Sequence, residues 1–265
     1  MNVSSAPAIL SLENVSRYFG AIVALRCVNL EVFPGQVHCL LGDNGAGKST
    51  LIKILSGVYQ PSDGAFFVDG INTTFTSPRD ALDRGIATVY QDLALVPLMS
   101  ISRNFVLGQE TAFKAGPFGF FDLEKANRLA AQSMAELGIH IRDPNHLVAN
   151  LSGGEKQCLA IARAVHFGAR VLILDEPTAA LGVTQTAQVL NVIQNARKRG
   201  IAIIFITHNI HHAFPIADHF IVLNKGHCTG SYKKADVSKD FIFEAMSGGQ
   251  DMAVLEAELS RNDTP

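Results

Sequence analysis

The sequence predicts an α/β fold: a mainly parallel core sheet, a small antiparallel sheet near the N-terminus and a helical insertion. Three observations carry that prediction. "VLILDE" and "IAIIFITH" are near-continuous apolar runs, as expected for strands covered on both faces of a parallel sheet. "VHCLLG" is a third such run, and it passes directly into a glycine-rich loop and then a helical stretch. Between about residues 92 and 165 the strand signals stop and helical periodicity replaces them. With 265 residues, 48% hydrophobic and 17% charged, the chain has the composition of an ordinary globular protein. Residues 1–265 are read as one domain, with a helical subdomain at about 92–165 and a hairpin and helical tail at about 218–265.

The elements follow in order. "ILSLENV" and "ALRCVNLEV" read as short strands, the second placing Val28, Leu30 and Val32 on one face. After "VHCLLG" a helix is expected at "KSTLIKILSGV", then a turn at "QPSDG" and a strand at "AFFVDG". Ser77-Pro78 opens a short helix that Gly85 closes, and "IATVYQ" is a buried strand. "SISRNFVLG" and "DLEKANRLAAQSMAELG" are helical, the latter with Leu123, Ala126, Leu129, Ala130, Met134 and Leu137 on one face. "EKQCLAIARAVHFG" is a further helix. "DHFIVLNKGHCTGSY" reads as a hairpin turning near Asn224-Lys225-Gly226, and "DMAVLEAELS" as a terminal helix behind a glycine linker.

Composition narrows the partners. A formal charge of −2 gives no basic surplus, so nucleic acid is not expected as a partner. Cys27, Cys39, Cys158 and Cys228 are scattered without a CxxC pair and read as buried structural thiols of a reducing compartment, over metal or disulfide. The first residues lack the charged and apolar regions of a signal peptide, and "IAIIFIT" is too short to span a bilayer. A membrane role would therefore run through a partner.

The chemistry lies in a few motifs. "GDNGAGKS" fits GxxxxGK[ST], and a strand before it and a helix after it supply the context of a phosphate loop, so the α/β core reads as that of a P-loop NTPase. Backbone N–H groups of Gly42, Asp43, Asn44, Gly45, Ala46, Gly47 and the following Thr50 would wrap phosphates. Lys48 would reach the β/γ oxygens and Ser49 would ligate Mg²⁺. "VLILDE" delivers Asp175 at the end of a buried strand, suited to holding the metal, with Glu176 beside it to orient or deprotonate water. Gln91 at a strand end could reach metal or water, His208 at another could meet the γ-phosphate, and Tyr18 could stack on adenine. "LSGGEKQ" adds a second candidate anion site. Ser152 and Glu155 form a capping box, yet Gly153 and Gly154 leave the first helical turn bare, as an anion at a helix N-terminus requires.

"GDNGAGKST", "VYQD", "LSGGEKQ", "LILDEPTAAL" and "ITHN", in this order and spacing, resemble the ATP-binding subunit of an ABC transporter over residues 9 to about 230. That resemblance implies ATP and Mg²⁺ as ligands, Tyr18 as the adenine-stacking aromatic, Gln91 as the Q-loop glutamine, Glu176 as the catalytic glutamate and His208 as the switch histidine. It implies that Ser152, Gly153 and Gly154 bind the γ-phosphate held by a second subunit, so that a head-to-tail homodimer completes two sites. "SGGQ" at 247–250 lacks the flanking features and is read as a linker. Gly182 stands where the family commonly has Asp, in a loop that crosses to the partner subunit.

"LSGVYQPSDG" and "DLALVPLMSISRNFVLGQE" resemble the ATPases of bacterial monosaccharide importers of the ribose, xylose and fructose type. A single ATPase half is similar to the single-domain fructose-import kind. The resemblance implies transmembrane permease subunits meeting residues 92–110, a periplasmic sugar-binding protein and a peripheral place on the cytoplasmic face of the inner membrane. Importers of other solutes such as amino acids, and non-transport ABC ATPases, are the alternatives; the latter are usually tandem or carry long insertions.

Overall fold

The computed structural model describes residues 7–115, 120–141 and 143–247. β1 (Leu10–Phe19) and β2 (Ile22–Val32) form a long hairpin, and β3 (Val37–Leu41) leaves it for the core. Leu10 faces Val32 and Leu12 faces Leu30 across the pair, so the period-2 pattern puts one apolar face inward. After α1 (Lys48–Leu55), β4 (Asp63–Val68) and β5 (Ile71–Asn72) complete a four-stranded antiparallel sheet in the order β2-β1-β4-β5. α2 (Pro78–Asp83) starts at a full capping box between Ser77 and Asp80, and β6 (Ile86–Val89) follows.

The insertion holds α3 (Ile101–Phe105), β7 (Lys114–Ala115), β8 (Phe120–Phe121), α4 (Leu123–Ala135) and α5 (Gly153–His166). It is not strand-free as expected, because Lys114 pairs with Phe121 in a two-stranded ribbon too short to leave a periodic signal. Ala126, Ala130, Met134 and Leu137 are buried as predicted; Leu123 is exposed and Leu129 half-buried, since the stripe reaches the core only from its second turn. The terminal helix expected at "DMAVLEAELS" and most of its glycine linker lie outside the described residues.

β9 (Val171–Asp175), α6 (Val183–Lys198) and β10 (Ala202–Thr207) come next, then α7 (Ile210–Ala213), the hairpin β11 (His219–Asn224) and β12 (His227–Lys233), and α8 (Lys239–Ser247). The core sheet runs β12-β11-β3-β10-β9-β6, parallel throughout except for the edge strand β12. Ile203 and Phe205 face one apolar core with α5 and α6, whereas Ile204 and Ile206 face the other with α1 and the antiparallel sheet. Two covered faces explain why β10 is apolar at almost every position. α6 escaped the sequence reading because its buried stripe of Thr186, Val189, Val192, Ile193 and Ala196 mixes with Gln, Asn and Thr, and its N-cap Gly182 makes no side-chain cap.

Cys39 and Cys158 are buried as expected, but Cys228 is half-buried and Cys27 is exposed on β2. Among the described residues His38 is a buried titratable ring. His38, 1% exposed on β3, accepts a hydrogen bond from the Phe33 N–H at 3.0 Å through Nε2. Its ring stacks on His219 with centroids 4.9 Å apart. Burial, reinforced by His219, holds its pKa down to about 3. An imidazole whose folded pKa lies below its unfolded value near 6.5 contributes stability that is complete above about pH 6.5 and is lost progressively toward pH 3. The loss is about 1.4 kcal/mol per pH unit inside that window. Urea midpoints between pH 7 and pH 4.5 are therefore expected to fall more steeply for the wild type than for His38→Gln. Parallel curves would show that His38 does not supply this acid sensitivity.

Candidate functional site

The glycine-rich loop joins β3 to α1 and is shaped by close approaches. Gly42 sits at φ +153°, where a Cβ would strike the Leu223 carbonyl. At Gly47, φ +103°, a Cβ would lie 2.8 Å from the Ala24 carbonyl. The Lys48 ammonium donates to the carbonyls of Gly42 at 2.6 Å and Asp43 at 2.9 Å, which clamps the loop around it. Burial lowers the Lys48 pKa, while the carboxylates of Glu176, Asp43 and Asp175 oppose that shift.

A cavity of about 550 Å³ opens over this loop, lined by Asp43, Asn44, Gly45, Gly47, Lys48, Ser49 and Thr50 with Gln91, Asp175 and Glu176. The structure thus brings ten of the sequence-predicted site residues to one wall-to-wall space. Gly42 and Ala46 belong to the loop's backbone without lining the cavity. Gln91 lies two residues beyond the end of β6, not on it. Tyr18 does not line the cavity; it is 38% exposed on β1 and pairs with Val23, which does.

Asp175 and Glu176 end β9. Burial raises the Asp175 pKa, and the charge of Glu176 adds to it. Glu176 adopts a left-handed backbone at φ +48°. Its Oε1 accepts from the His208 backbone N–H at 3.0 Å and stands 2.7 Å from His208 Nδ1, while Oε2 accepts from the Thr207 hydroxyl at 3.0 Å. His208 is therefore joined to the site through Glu176. Ser49, Asp175 and Gln91 offer hard oxygen donors in one cavity, and a cation would relieve the crowding of two desolvated carboxylates. The donor set fits Mg²⁺, with remaining positions left to phosphate and water oxygens.

Ser152, Gly153 and Gly154 lie elsewhere. Ser152 caps α5 reciprocally with Glu155, its own N–H reaching Glu155 Oε2 at 2.8 Å. A Cβ on Gly153 would meet Leu181 Cδ2 at 2.9 Å, and one on Gly154 would meet Gln185 Cβ at 3.0 Å. None of the three lines the cavity over its own chain's phosphate loop. Sequence reasoning missed Ile22, Val23, Ala24, Lys225 and Gly226, which also line it. Gly226 donates its N–H to the Ala46 carbonyl at 2.9 Å, so the β11–β12 turn buttresses the loop. The turn was legible in the sequence, but its place over the loop was not.

The ABC transporter family matches residues 25–179. A xylose/arabinose import ATP-binding protein of Sulfolobus acidocaldarius is 42% identical over 90% of this chain and 94% of its own. A fructose import ATP-binding protein of Rhizobium meliloti is 42% identical over 79% of this chain and 82% of its own. The chain spans about half the length of the ribose import ATP-binding proteins that it also matches. Among solved structures, an ATP-binding cassette in a dimeric post-hydrolysis state bound to ADP and Pi superposes with a TM-score of 0.70. It is 26% identical, with 85% of this chain and 98% of that chain covered.

Proposed function

We propose that this chain, which belongs to the ABC transporter family, is the ATP-hydrolysing subunit of an importer for a simple sugar. The observation that carries the ATPase reading is the convergence of Lys48, Ser49, Asp175 and Glu176 on one cavity. The names of the xylose/arabinose and fructose relatives support the sugar and the direction of transport. Among the described residues no helix is long and apolar enough to cross a membrane, so translocation falls to permease subunits, fed by a periplasmic sugar-binding protein. The chain then works at the cytoplasmic face of the inner membrane.

In this reading the N–H groups at the start of α1 and the Lys48 ammonium hold the β- and γ-phosphates of ATP. Ser49, Asp175 and Gln91 would hold Mg²⁺, which neutralises charge on the phosphate oxygens. Tyr18, paired with Val23 on the cavity wall, would cover adenine in this reading. Glu176 takes a proton from the attacking water, its carboxylate kept in one orientation by Thr207 and His208. Ser152, Gly153 and Gly154, which do not line the cavity over their own chain's loop, complete the site of a second copy in a head-to-tail homodimer in this reading.

A groove of about 440 Å³ supports a docking place for the permease. It runs between β6, the segment after Gln91 and α5, with Val89, Leu93, Ala94, Leu107, Ala164 and Phe167 on its walls. Leu93 and Leu95 turn partly into the core, whereas Val96 is 37% and Leu98 82% exposed in the same segment without lining the groove. Within residues 92–110, the stretch expected to meet the permease, Val96 and Leu98 are the exposed large apolar side chains.

Glu176→Gln keeps the side chain's shape and removes the base, so hydrolysis should fall by roughly 10²–10⁴-fold while ATP still binds. Near wild-type turnover would reject the assignment. Leu98→Asp is a surface change expected to cost no more than about 0.5 kcal/mol. It should abolish sugar uptake in cells while basal ATPase activity persists, and normal uptake would remove the exposed segment around Leu98 as the docking place. The shared site is tested by pairing a Lys48→Ala chain with a Gly153→Asp chain. Gly153 is exposed and its new Cβ meets only the tip of Leu181, which can move; Gly154 is buried against the Gln185 stem and is the worse choice. In the purified mixed dimer one site carries both lesions and the other none, so one ATP should bind per dimer. Two equally weakened sites would mean that each chain's "LSGG" serves its own nucleotide.

A further inference from the structure

Thr178, Asn209 and His212 take no part in the chemistry described above, yet they form a hydrogen-bonded chain that reaches Glu176 from behind. Thr178, 2% exposed in the loop after β9, has its Oγ1 2.9 Å from His212 Nδ1. His212 Nε2 lies 3.3 Å from Asn209 Nδ2. The Asn209 backbone N–H donates to Thr207 Oγ1 at 3.1 Å, and that hydroxyl donates to Glu176 Oε2. Two loops are joined in this way: the one that follows Glu176 and the one that carries His208.

The partners of His212 define its protonation. Asn209 is the N-cap of α7, and its Oδ1 accepts from the His211 N–H at 2.9 Å. The amide nitrogen is therefore the end that faces His212, and an amide nitrogen only donates. Nε2 of His212 must accept, so the neutral ring carries its proton on Nδ1 and donates it to Thr178 Oγ1. A second proton on the ring would set Nε2–H against the Asn209 N–H, donor against donor. The chain of bonds closes only around a neutral His212.

The surroundings favour that form. Burial lowers the His212 pKa, His211 and His208 push in the same direction, and Glu176 opposes them. From α8, Lys239 Nζ stands 2.6 Å from His211 Nδ1, which brings a cation to the same flank. The left-handed backbone of Glu176 costs about 1–2 kcal/mol and persists only where its neighbours hold it. Thr178 is two residues further on.

We propose that His212 is a positioning residue for ATP hydrolysis: neutral, it locks the loop of residues 176–181 to the loop bearing His208, and protonation releases that lock. The proposal rests on Glu176 acting as the base. Its chemistry concerns the placement of a carboxylate and not the phosphate loop, so it predicts a loss in turnover without a matching loss in ATP binding.

The test is steady-state ATPase activity of the purified full-length protein between pH 5.5 and 8.5, with the His212 imidazole followed by NMR. His212→Ala should lower kcat roughly ten- to a hundredfold while KM for ATP changes less than about twofold. His212→Gln keeps a donor and an acceptor, so it should restore most of kcat at pH 7.5 and flatten the acid limb. Asn209→Asp keeps the cap of α7 but sets a carboxylate opposite Nε2. It should raise the His212 pKa by about one unit or more and move the acid limb with it. If His212→Ala does not fold, the other two variants carry the test. Wild-type kcat in His212→Ala, or an acid limb unchanged in both His212→Gln and Asn209→Asp, overturns the proposal. Glu176→Gln measured in parallel separates the two levels. If that variant is inactive while His212 variants behave as wild type, only the lock is wrong; if it hydrolyses ATP normally, the base assignment falls and the lock with it.

Discussion

Parallel pairing of β10 between β3 and β9 is the constraint on which the site depends. Phe205 pairs with Cys39 on one side and Leu174 on the other, so the three strands end at the same edge of the sheet. Whatever follows each strand must then share one space: the phosphate loop after β3, Asp175 and Glu176 at the end of β9, Thr207 and His208 at the end of β10. An antiparallel β10 would send Thr207 and His208 to the opposite edge. Ligands gather outside the carboxyl ends of parallel strands for this topological reason, and the apolar burial of β10 on both faces is what enforces the pairing.

The same edge concentrates electrostatic cost. Asp175 and Glu176 are adjacent, both withdrawn from water, with Lys48 as the cation opposing them. Such a group of charges is destabilising unless each member is bonded or meets a ligand charge. Lys48 is bonded to backbone carbonyls, and Glu176 to Thr207 and His208. Asp175 has no comparable set of bonds to offset its burial, which is the position a divalent cation would serve.

The sequence disclosed the chemistry better than the geometry. Glycine spacing marked the loop between β3 and α1, because a strand–loop–helix with φ > 0 positions leaves a clear trace in residue type. Asp175 and Glu176 were visible because they end an uninterrupted apolar run. α6 was not visible: helix packing had tolerated Thr and Gln on its buried face, and tertiary contact outweighed the missing pattern. Lys225 and Gly226 read as a hairpin turn, since local sequence cannot say which loop a turn leans on. The bond between His208 and Glu176 was likewise out of reach, because it depends on the left-handed backbone of a non-glycine residue that no propensity favours.

Gly182 ties these threads to the second copy. Elsewhere in such a loop an Asp would cap α6; here the N-cap makes no side-chain bond, and the next residue, Val183, is 89% exposed. Leu181 in the loop and Gln185 in the first turn of α6 stand against the glycines of "LSGG". Its other end is anchored through Thr178 to His212 and, by way of Asn209 and Thr207, to Glu176. One short segment therefore runs from Glu176 to the start of α5, the two places that the proposed reading assigns to different sites of a homodimer. The Gly182 carbonyl still accepts from the Thr186 N–H at 2.9 Å, so backbone bonding alone joins the segment to α6. In the proposed homodimer, a shift at Glu176 or at the start of α5 would meet the same segment, tied by Thr178 to His212 and lying against Gly153 through Leu181.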